Sequence, residues 1–392
     1  MQSPLSSSDP TTVEHLTELA SRASAVVAEL RNRMLLPDAR KNAPTVSSDR
    51  LMQMTKLSAA QVKYRIEKGL PSGKVPSGRG GRREFTLEES SVWAKAERKE
   101  KLRPDGAKAA TIAVAFFKGG VTKTTTSMVI AQGLSLLGHR VLNIDLDPQG
   151  SLTTLHGLLP DSEIDEEVTL GPLFHGTQSD VRYAIRKTYW DGIDLIPAAS
   201  ALFGAEFSLP SRQMRDRAFQ FWNVLNAGLD PVRQDYDVII IDTPPSLSYM
   251  TTNAFFAADG LVVPMMPSML DLASSAQFWA LVSDLASNIS QAAGVQKTFD
   301  FVSILLSKVN NQESTTKAVR EWIQTVYGGR VLPVEIPLTT VASSQVNQFS
   351  TAFDLSKYEG DSRTYKRARD AYEDLALTIE ESLHQIWNRQ IV

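Results

Sequence analysis

Seven short apolar runs recur from Thr111 onward, and they restrict the fold of this chain more than any other feature. They are Ile112–Phe117, Val141–Asp145, Ile193–Ile196, Val238–Asp242, Leu261–Val263, Phe301–Leu306 and Val331–Glu335. Continuous apolar runs of this length are typical of strands that are buried on both faces, and helical stretches lie between them. This alternation predicts an α/β fold with a doubly wound, mostly parallel sheet. Ligands bind such sheets at the carboxyl ends of the strands, so the chemistry is expected there.

A glycine-rich loop follows the first run and opens a helical stretch. It reads Lys118-Gly119-Gly120-Val121-Thr122-Lys123-Thr124-Thr125, and we expect these residues to bind a nucleotide. In such a loop, backbone N–H groups face phosphate oxygens, Lys123 reaches the β- and γ-phosphates, and the Thr124 hydroxyl ligates Mg²⁺. The ordinary P-loop pattern is not matched, because its two glycines would fall at Phe117 and Thr122. The sequence therefore predicts a phosphate-binding loop with altered glycine spacing.

Aspartates end two further runs. The segment Asn143–Gly150 carries Asp145 and Asp147, and the segment Ile239–Pro245 carries Asp242 before a pair of prolines. A carboxylate at the end of a parallel strand lies at the edge of the sheet where ligands bind. Each of the three motifs is weak evidence alone. Together, in this order and each at a strand end, they predict one site for phosphoryl transfer.

The glycine-rich loop resembles the deviant Walker A motif of the ParA/MinD superfamily, which has an extra lysine followed by a double glycine. The resemblance covers about residues 111–388 and implies an ATPase that binds ATP or ADP with Mg²⁺. It implies that Lys118 crosses a dimer interface to the partner's ATP and that Asp147 positions the attacking water. The catalytic residues would be Lys118, Lys123 and Asp147. The metal residues would be Thr124, Asp145 near the magnesium shell, and Asp242, which holds a magnesium-bound water.

A later segment is similar to the part of the superfamily that closes over the adenine. It comprises Val334–Leu338 and then Ser343-Ser344-Gln345. The candidates for contact with the base are Ser307, Lys308 and Pro337, and of these Pro337 is included among the expected cofactor-binding residues.

The region from Lys56 to Lys108 is basic, with 14 lysines and arginines against 7 aspartates and glutamates, in a chain whose net charge is −3. This imbalance favours a polyanionic partner for the region. Ser58 and Gln61 match a capping box, which predicts a helix that ends at Gly69. A short helix from Arg50 to Met54 before it completes a helix-turn-helix outline.

The segment Gly73–Arg83 is rich in glycine and arginine and resembles the wing of a MerR-like winged helix, where arginines reach phosphates or the minor groove. A basic solvated linker is the alternative. The candidate DNA-binding residues of this region are Lys56, Lys63, Arg65, Arg79, Arg82 and Arg83. Lys366, Arg367 and Arg369 form a second candidate set, because the superfamily often binds DNA without sequence preference through a C-terminal helix. A solvated helix face is the alternative there, since acidic residues follow.

Residues 11–35 are predicted to form one helix. Its apolar positions repeat with the spacing of a coiled-coil seam: Leu16, Ala20, Ala23, Val27, Leu30 and Met34. The helix either dimerises or packs on its own domain. The expected domains are residues 1–45 with this helix, residues 46–105 as a winged helix-turn-helix DNA-binding domain, and residues 106–392 as the ATPase domain.

The absence of cysteine excludes disulfides, iron–sulfur clusters and thiolate zinc sites, and with them the cluster-bearing reductases of the superfamily. The N-terminus lacks the pattern of a signal peptide, and no apolar run reaches the length of a membrane span. These observations fit a cytoplasmic protein, and the resemblance implies a bacterial one that is associated with the nucleoid and not with the membrane.

The resemblance implies a weak, partner-stimulated ATPase for plasmid or chromosome partition. Its ATP-dependent homodimer would bind non-specific DNA, and the N-terminal domain would bind and repress its own operator. A ParB-type centromere-binding protein would be its partner. Two alternatives stay open. One is a nucleotide-gated transcriptional repressor, and the other is a MinD-like membrane ATPase, which the acidic C-terminal tail disfavours.

Overall fold

The computed structural model describes residues 11–34, 41–75, 82–160, 162–294, 296–339, 350–355 and 362–391. The chain divides into two compact units, one up to residue 42 and one from residue 43 onward. The second unit contains both the basic region and the sheet. The predicted boundaries at residues 45 and 105 stay predictions.

The first unit contains one helix, α1 (Val13–Met34), where the sequence predicts residues 11–35. Several apolar side chains of the predicted seam are solvent-exposed: the exposed fractions are 56 % for Leu16, 45 % for Val27 and 47 % for Leu30. The predicted helix is therefore confirmed.

The second unit begins with a small group of elements within residues 46–105, which we call the basic segment. It contains β1 (Val46–Ser47), α2 (Ser48–Thr55), α3 (Ala59–Glu67), β2 (Glu84–Phe85) and α4 (Leu87–Glu97). The predicted capping box at the start of α3 is present, with Ser58 and Gln61 each bonded to the other's backbone. Trp93 and Phe85 are fully buried and pack edge to face. Residues 76–81 of the predicted wing, including Arg79, lie outside the described residues.

The remaining strands and helices alternate along the chain, as the sequence predicts. The strands are β3 (Ala110–Val114), β4 (Val141–Asp145), β5 (Arg186–Lys187), β6 (Ile193–Ile196), β7 (Val238–Asp242), β8 (Gly260–Met265), β9 (Phe301–Val309) and β10 (Val331–Pro337). The helices are α5 (Lys123–Leu136), α6 (Ser151–Leu155), α7 (Gly171–His175), α8 (Ala205–Arg215), α9 (Val224–Leu229), α10 (Tyr249–Ala257), α11 (Met269–Ala293), α12 (Ser314–Tyr327) and α13 (Ser362–Ile391).

These eight strands form one sheet in the order β10-β9-β8-β3-β7-β4-β6-β5. All neighbours are parallel except β5, which pairs antiparallel with β6. The predicted parallel α/β sheet is therefore confirmed, and all seven predicted strands are present. The central strands β3, β4 and β7 are buried along their whole length, because helices cover both faces of the sheet.

Helix α5 links the phosphate-loop end of the sheet to the basic segment. Near its C-terminus, Gly133 lies so close to α13 that an added Cβ would stand 2.4 Å from the Cβ of Ala376. The carbonyl of Leu137, at the C-cap of α5, accepts a hydrogen bond of 2.7 Å from Arg98, which lies at the end of α4. The same arginine forms a two-bond ion pair with Glu380 of α13. These contacts join the basic segment to the C-terminal end of α5, the helix that starts at the glycine-rich loop.

Candidate functional site

The glycine-rich loop connects β3 to α5 through two residues with left-handed backbone. Gly120 has φ of +77° and Thr122 has φ of +74°, directly before the helix begins at Lys123. No side chain caps the first turn of α5. Because the first N–H groups of a helix have no intrahelical partner, this end of α5 offers donors and a positive dipole to an anion.

A cleft of about 580 Å³ opens above this loop. Its phosphate-side lining is made by Gly119, Gly120, Thr122, Lys123, Thr124, Thr125 and Asp147. The opposite lining includes Lys308, Ile336, Pro337, Leu338 and Thr339. Of the predicted loop residues, Lys118 and Val121 are not part of this lining, and the side chain of Val121 is fully buried in the core. One wall of the cleft is therefore polar and the other mainly apolar, which suits a phosphate chain and an aromatic base.

Lys123 is 8 % exposed, and its ammonium group donates to the carbonyl of Lys118 at 3.1 Å. Burial lowers the pKa of Lys123, while the carboxylates of Asp242 and Asp147 act in the opposite direction. The ammonium group is therefore held inside the loop near two acidic residues, where phosphate oxygens can replace its backbone acceptor.

Two aspartates meet at neighbouring strand ends, because β4 and β7 are parallel and Asp145 pairs in register with Asp242. Both carboxyl groups are fully buried, and burial raises the pKa of each. Asp145 accepts two bonds of 2.8 Å from Thr153, through its N–H and its hydroxyl. It also accepts the N–H of Asp147 at 3.2 Å. Asp145 therefore shapes the loop that carries Asp147.

Asp242 is arranged differently. One of its oxygens, Oδ1, accepts the Ser127 hydroxyl at 2.9 Å, and the Thr124 side chain acts to lower the pKa of this carboxyl group against the effect of burial. The other oxygen, Oδ2, is buried and has no hydrogen-bond partner among the described residues. An orphaned carboxylate oxygen beside a hydroxyl is a donor set that suits Mg²⁺, which takes few protein ligands and keeps its waters. The described residues include no cluster of three or more histidine, aspartate or glutamate side chains that could hold a metal ion.

Lys118 lies at the start of the loop and is directed to its own chain. Its ammonium group forms an ion pair with Asp271, in the first turn of α11. Asp271 is fully buried and also accepts the N–H of Met266 at 2.8 Å and the hydroxyl of Ser268 at 3.2 Å. The sequence analysis missed Asp271. Its only signal is the Ser-x-x-Asp pattern at residues 268–271, which reads as an ordinary helix cap.

The adenine side of the cleft is only partly described. Pro337 ends β10 and lines the cleft, and the N–H of Leu338 bonds the carbonyl of Val309 at 3.0 Å. Ser343, Ser344 and Gln345 lie outside the described residues. The assignment of Pro337 to the base stays a prediction.

The candidate DNA-binding residues fall into two groups by exposure. Lys56, Lys63, Lys366 and Arg367 are exposed, and the last two line an open groove of about 510 Å³ beside β10. Others already hold protein partners. Arg65 pairs with Glu97 at 2.7 Å, Arg82 pairs with Asp49 at 2.5 Å, and Arg83 donates to the carbonyl of Ser72.

Arg369 points inward. It is 13 % exposed, lies over the ring of Phe353 and donates to the hydroxyl of Tyr365 at 2.8 Å. These contacts are structural ones, whereas Lys366 and Arg367 are exposed to solvent. Within the described ranges, no helix combines the length and apolar character that crossing a membrane requires.

Comparison with known proteins identifies relatives of this arrangement. A family model described as "AAA domain" matches residues 109–293. The virulence plasmid ParA family protein pGP5-D of Chlamydia psittaci is 30 % identical over 69 % of this chain and 93 % of its own. Protein SopA of Escherichia coli K12 is 39 % identical over 56 % of this chain and 57 % of its own.

Solved structures agree on the fold. A structure described as "Partition Protein" superposes with a TM-score of 0.65 at 19 % identity, covering 94 % of this chain and 98 % of that one. Cobyrinic acid a,c-diamide synthase of Mycobacterium smegmatis, solved with ADP and magnesium, has a TM-score of 0.52 at 29 % identity. That match covers 68 % of this chain and 92 % of the synthase.

Proposed function

The chain belongs to the ParA family, and from this membership we propose that it is an ATPase that partitions plasmid or chromosomal DNA in the bacterial cytoplasm. The observation that carries the proposal is the convergence at one edge of the sheet of the glycine-rich loop, Asp147 and the buried oxygen of Asp242 that has no hydrogen-bond partner among the described residues. The synthase with bound ADP and magnesium supports ATP or ADP with Mg²⁺ as the ligands of this cleft.

Each residue of the cleft has a separate role in phosphoryl transfer. Lys123 exchanges the carbonyl of Lys118 for the β- and γ-phosphates, and the N–H groups of residues 119–125 surround the phosphate oxygens. Thr124 and Asp242 would hold Mg²⁺, which neutralises phosphate charge when bound. Asp147, at the rim of the cleft, orients the attacking water. Positioning and charge neutralisation are what such a reaction needs from the protein.

ATP selects a homodimer in which Lys118 of each subunit reaches the nucleotide of the other. To do so, Lys118 has to leave Asp271 of its own chain. The exposed apolar seam of α1 offers a second contact between copies, because Leu16, Val27 and Leu30 are all exposed on one helix. Hydrolysis then dissolves the ATP-dependent state.

DNA is bound at two places. Lys366 and Arg367 contact the phosphates of nucleoid DNA without reading sequence, and the basic segment binds the operator through α3, where Lys63 and Tyr64 are exposed. A ParB-type centromere-binding protein stimulates the weak ATPase. The interpretation of residues 46–105 as a winged helix-turn-helix domain that represses its own operator is part of this proposal.

The test is binding of the full chain to random-sequence duplex DNA, measured by fluorescence anisotropy at one fixed salt concentration. The titration is repeated without nucleotide, with ADP and with ATP·Mg²⁺. We expect ATP·Mg²⁺ to tighten binding at least tenfold, and Lys118→Ala to abolish that gain. The matched control is Lys317→Ala, an exposed lysine on α12 that lies outside the cleft. Affinity that is equal in all three nucleotide states would refute the partition function.

The second candidate, a nucleotide-gated repressor, is favoured by one contact. Arg98 fastens the basic segment to the C-terminal end of α5, whose N-terminus forms the phosphate site. In that case operator DNA would respond to nucleotide while random DNA would not, and ATP turnover would be undetectable. Phosphate release in the presence of random and operator duplexes separates the two functions.

A further inference from the structure

Residues near the end of β9 donate hydrogen bonds to the glycine-rich loop. The hydroxyl of Ser307 donates to the carbonyl of Val121 at 3.1 Å, and the ammonium group of Lys308 donates to the carbonyl of Gly120 at 2.8 Å. Two adjacent residues thus supply donors to two consecutive carbonyl groups of the loop. Ser307 is fully buried, whereas Lys308 is exposed and lines the cleft.

The orientation of these carbonyl groups decides whether the loop can bind an anion. A loop that turns successive N–H groups towards a phosphate must turn its carbonyl oxygens away, since an oxygen facing the phosphate would repel it. Left-handed backbone at Gly120 and Thr122 produces this arrangement. Donors behind the loop stabilise it, because each carbonyl that faces away from the ligand still needs a partner.

A third donor to the loop is temporary. Lys123 donates to the carbonyl of Lys118 at 3.1 Å, but it is also the residue that the phosphates recruit. When Lys123 moves to the ligand, its bond to the loop is lost. The bonds from Ser307 and Lys308 to the loop carbonyl groups remain. Their geometry suits a permanent support and not a ligand contact.

The backbone of Lys308 supports a specific role. Its φ is +51°, and in the described part of the chain the only other non-glycine residues with positive φ are Lys56 and Thr122. This conformation is unfavourable for a residue with a Cβ, and such residues persist where the surrounding structure and the function hold them. In β9, the left-handed turn occurs at the residue whose side chain reaches Gly120.

We infer that Ser307 and Lys308 are positioning residues that hold the carbonyl groups of Val121 and Gly120 away from the cleft and so keep the loop ready for phosphate. The inference rests on the proposed nucleotide site. It differs from the expectation that these residues contact adenine, because they act on the phosphate end of the ligand through the loop.

The test measures binding of two probes to the full chain by isothermal titration calorimetry. One probe is ADP·Mg²⁺, and the other is pyrophosphate·Mg²⁺, which has no base. The variants are Lys308→Met, which keeps the aliphatic stem, and Ser307→Ala. Lys317→Met is the control, because it removes the same charge from an exposed helix position. We expect Lys308→Met and Ser307→Ala each to weaken the binding of both probes about five- to tenfold, which is the effect of one lost hydrogen bond. The control should change the affinity for neither probe.

A third variant separates positioning from general stability. Lys308→Gly removes the donor but adopts positive φ without steric conflict, so we expect an unchanged or higher unfolding temperature together with the same loss of affinity. Weakened ADP binding with unchanged pyrophosphate binding would overturn the inference in favour of a base contact. Unchanged binding of both probes would also overturn it. A wild-type chain that binds neither probe would refute the nucleotide site itself.

Discussion

A buried ion pair joins the basic segment to the ATPase core, and its removal gives a prediction with a calculable size. Arg98 and Glu380 share two hydrogen bonds of 3.0 and 2.7 Å, and Glu380 also contacts His139 at 2.7 Å. Glu380 is 3 % exposed. We predict that Glu380→Gln strongly destabilises the protein at neutral pH, because it leaves the Arg98 guanidinium without its counter-charge in a buried position.

The magnitude follows from the pKa of Glu380. Burial by itself would raise this pKa, but hydrogen bonds and charge from His139 and Arg98 outweigh burial and lower the pKa from 4.5 to about 2. A difference of this size corresponds to about 3 kcal/mol of folding stability at pH 7. Removing one partner of a buried ion pair typically lowers folding stability by about 3–5 kcal/mol, which agrees with the value derived from the pKa.

The pH dependence has a defined sign. Because the pKa is lower in the folded state, the contribution is fully present above pH 4.5 and is lost as the pH falls towards 2. The difference in unfolding free energy between wild type and Glu380→Gln should therefore shrink to about 1 kcal/mol at pH 3.

Urea unfolding followed by tryptophan fluorescence at pH 7, 4 and 3 measures this difference. The control is Glu381→Gln, the exposed neighbour on the same helix, which should change stability by less than about 0.5 kcal/mol. A Glu380→Gln effect below about 1 kcal/mol at pH 7, or one that does not shrink on acidification, would refute the electrostatic reasoning.

Three further predictions concern function. Asp147→Asn should lower the ATP turnover rate roughly 100-fold, as loss of water orientation does, while calorimetry shows ADP affinity within about twofold of wild type. Lys63→Ala should weaken operator binding and reduce the slope of log K against log salt by about one, as expected for the loss of one phosphate contact. Asp271→Asn keeps the backbone N–H that donates to the capping hydroxyl of Ser268 but removes the charge that holds Lys118, so analytical ultracentrifugation should show the ATP-dependent dimer at roughly tenfold lower ATP concentration. An unchanged turnover, salt slope or dimer midpoint would contradict the respective assignment.

The sequence predicted the sheet well because its strands are buried on both faces. Val141–Asp145, Ile193–Ile196 and Val238–Asp242 agree with the structure to the residue, since continuous apolar runs leave little doubt about burial. The strand Arg186–Lys187 was missed because two charged residues carry no apolar pattern, and its antiparallel pairing with β6 depends on tertiary contacts.

The site was predicted in part for similar reasons. Loop and strand-end motifs are local in sequence, so Lys123, Asp145 and Asp242 could be brought together from the topology alone. The direction in which a helix side chain points depends on tertiary packing and cannot be predicted from a local motif. Arg369 is one residue of a basic run, and only the packing of α13 against Phe353 shows that it faces inward.

Lys118 shows most clearly what the fold adds to the motif. The resemblance alone presents this lysine as a residue for the partner's ATP, but in the single chain it is already neutralised by a fully buried aspartate. An ion pair that must break before the dimer can form lowers the apparent affinity of the dimer by the free energy of that pair. On the proposed function, the dimer would therefore be disfavoured until the nucleotide supplies negative charge for both Lys118 and Lys123, and association would depend on ATP.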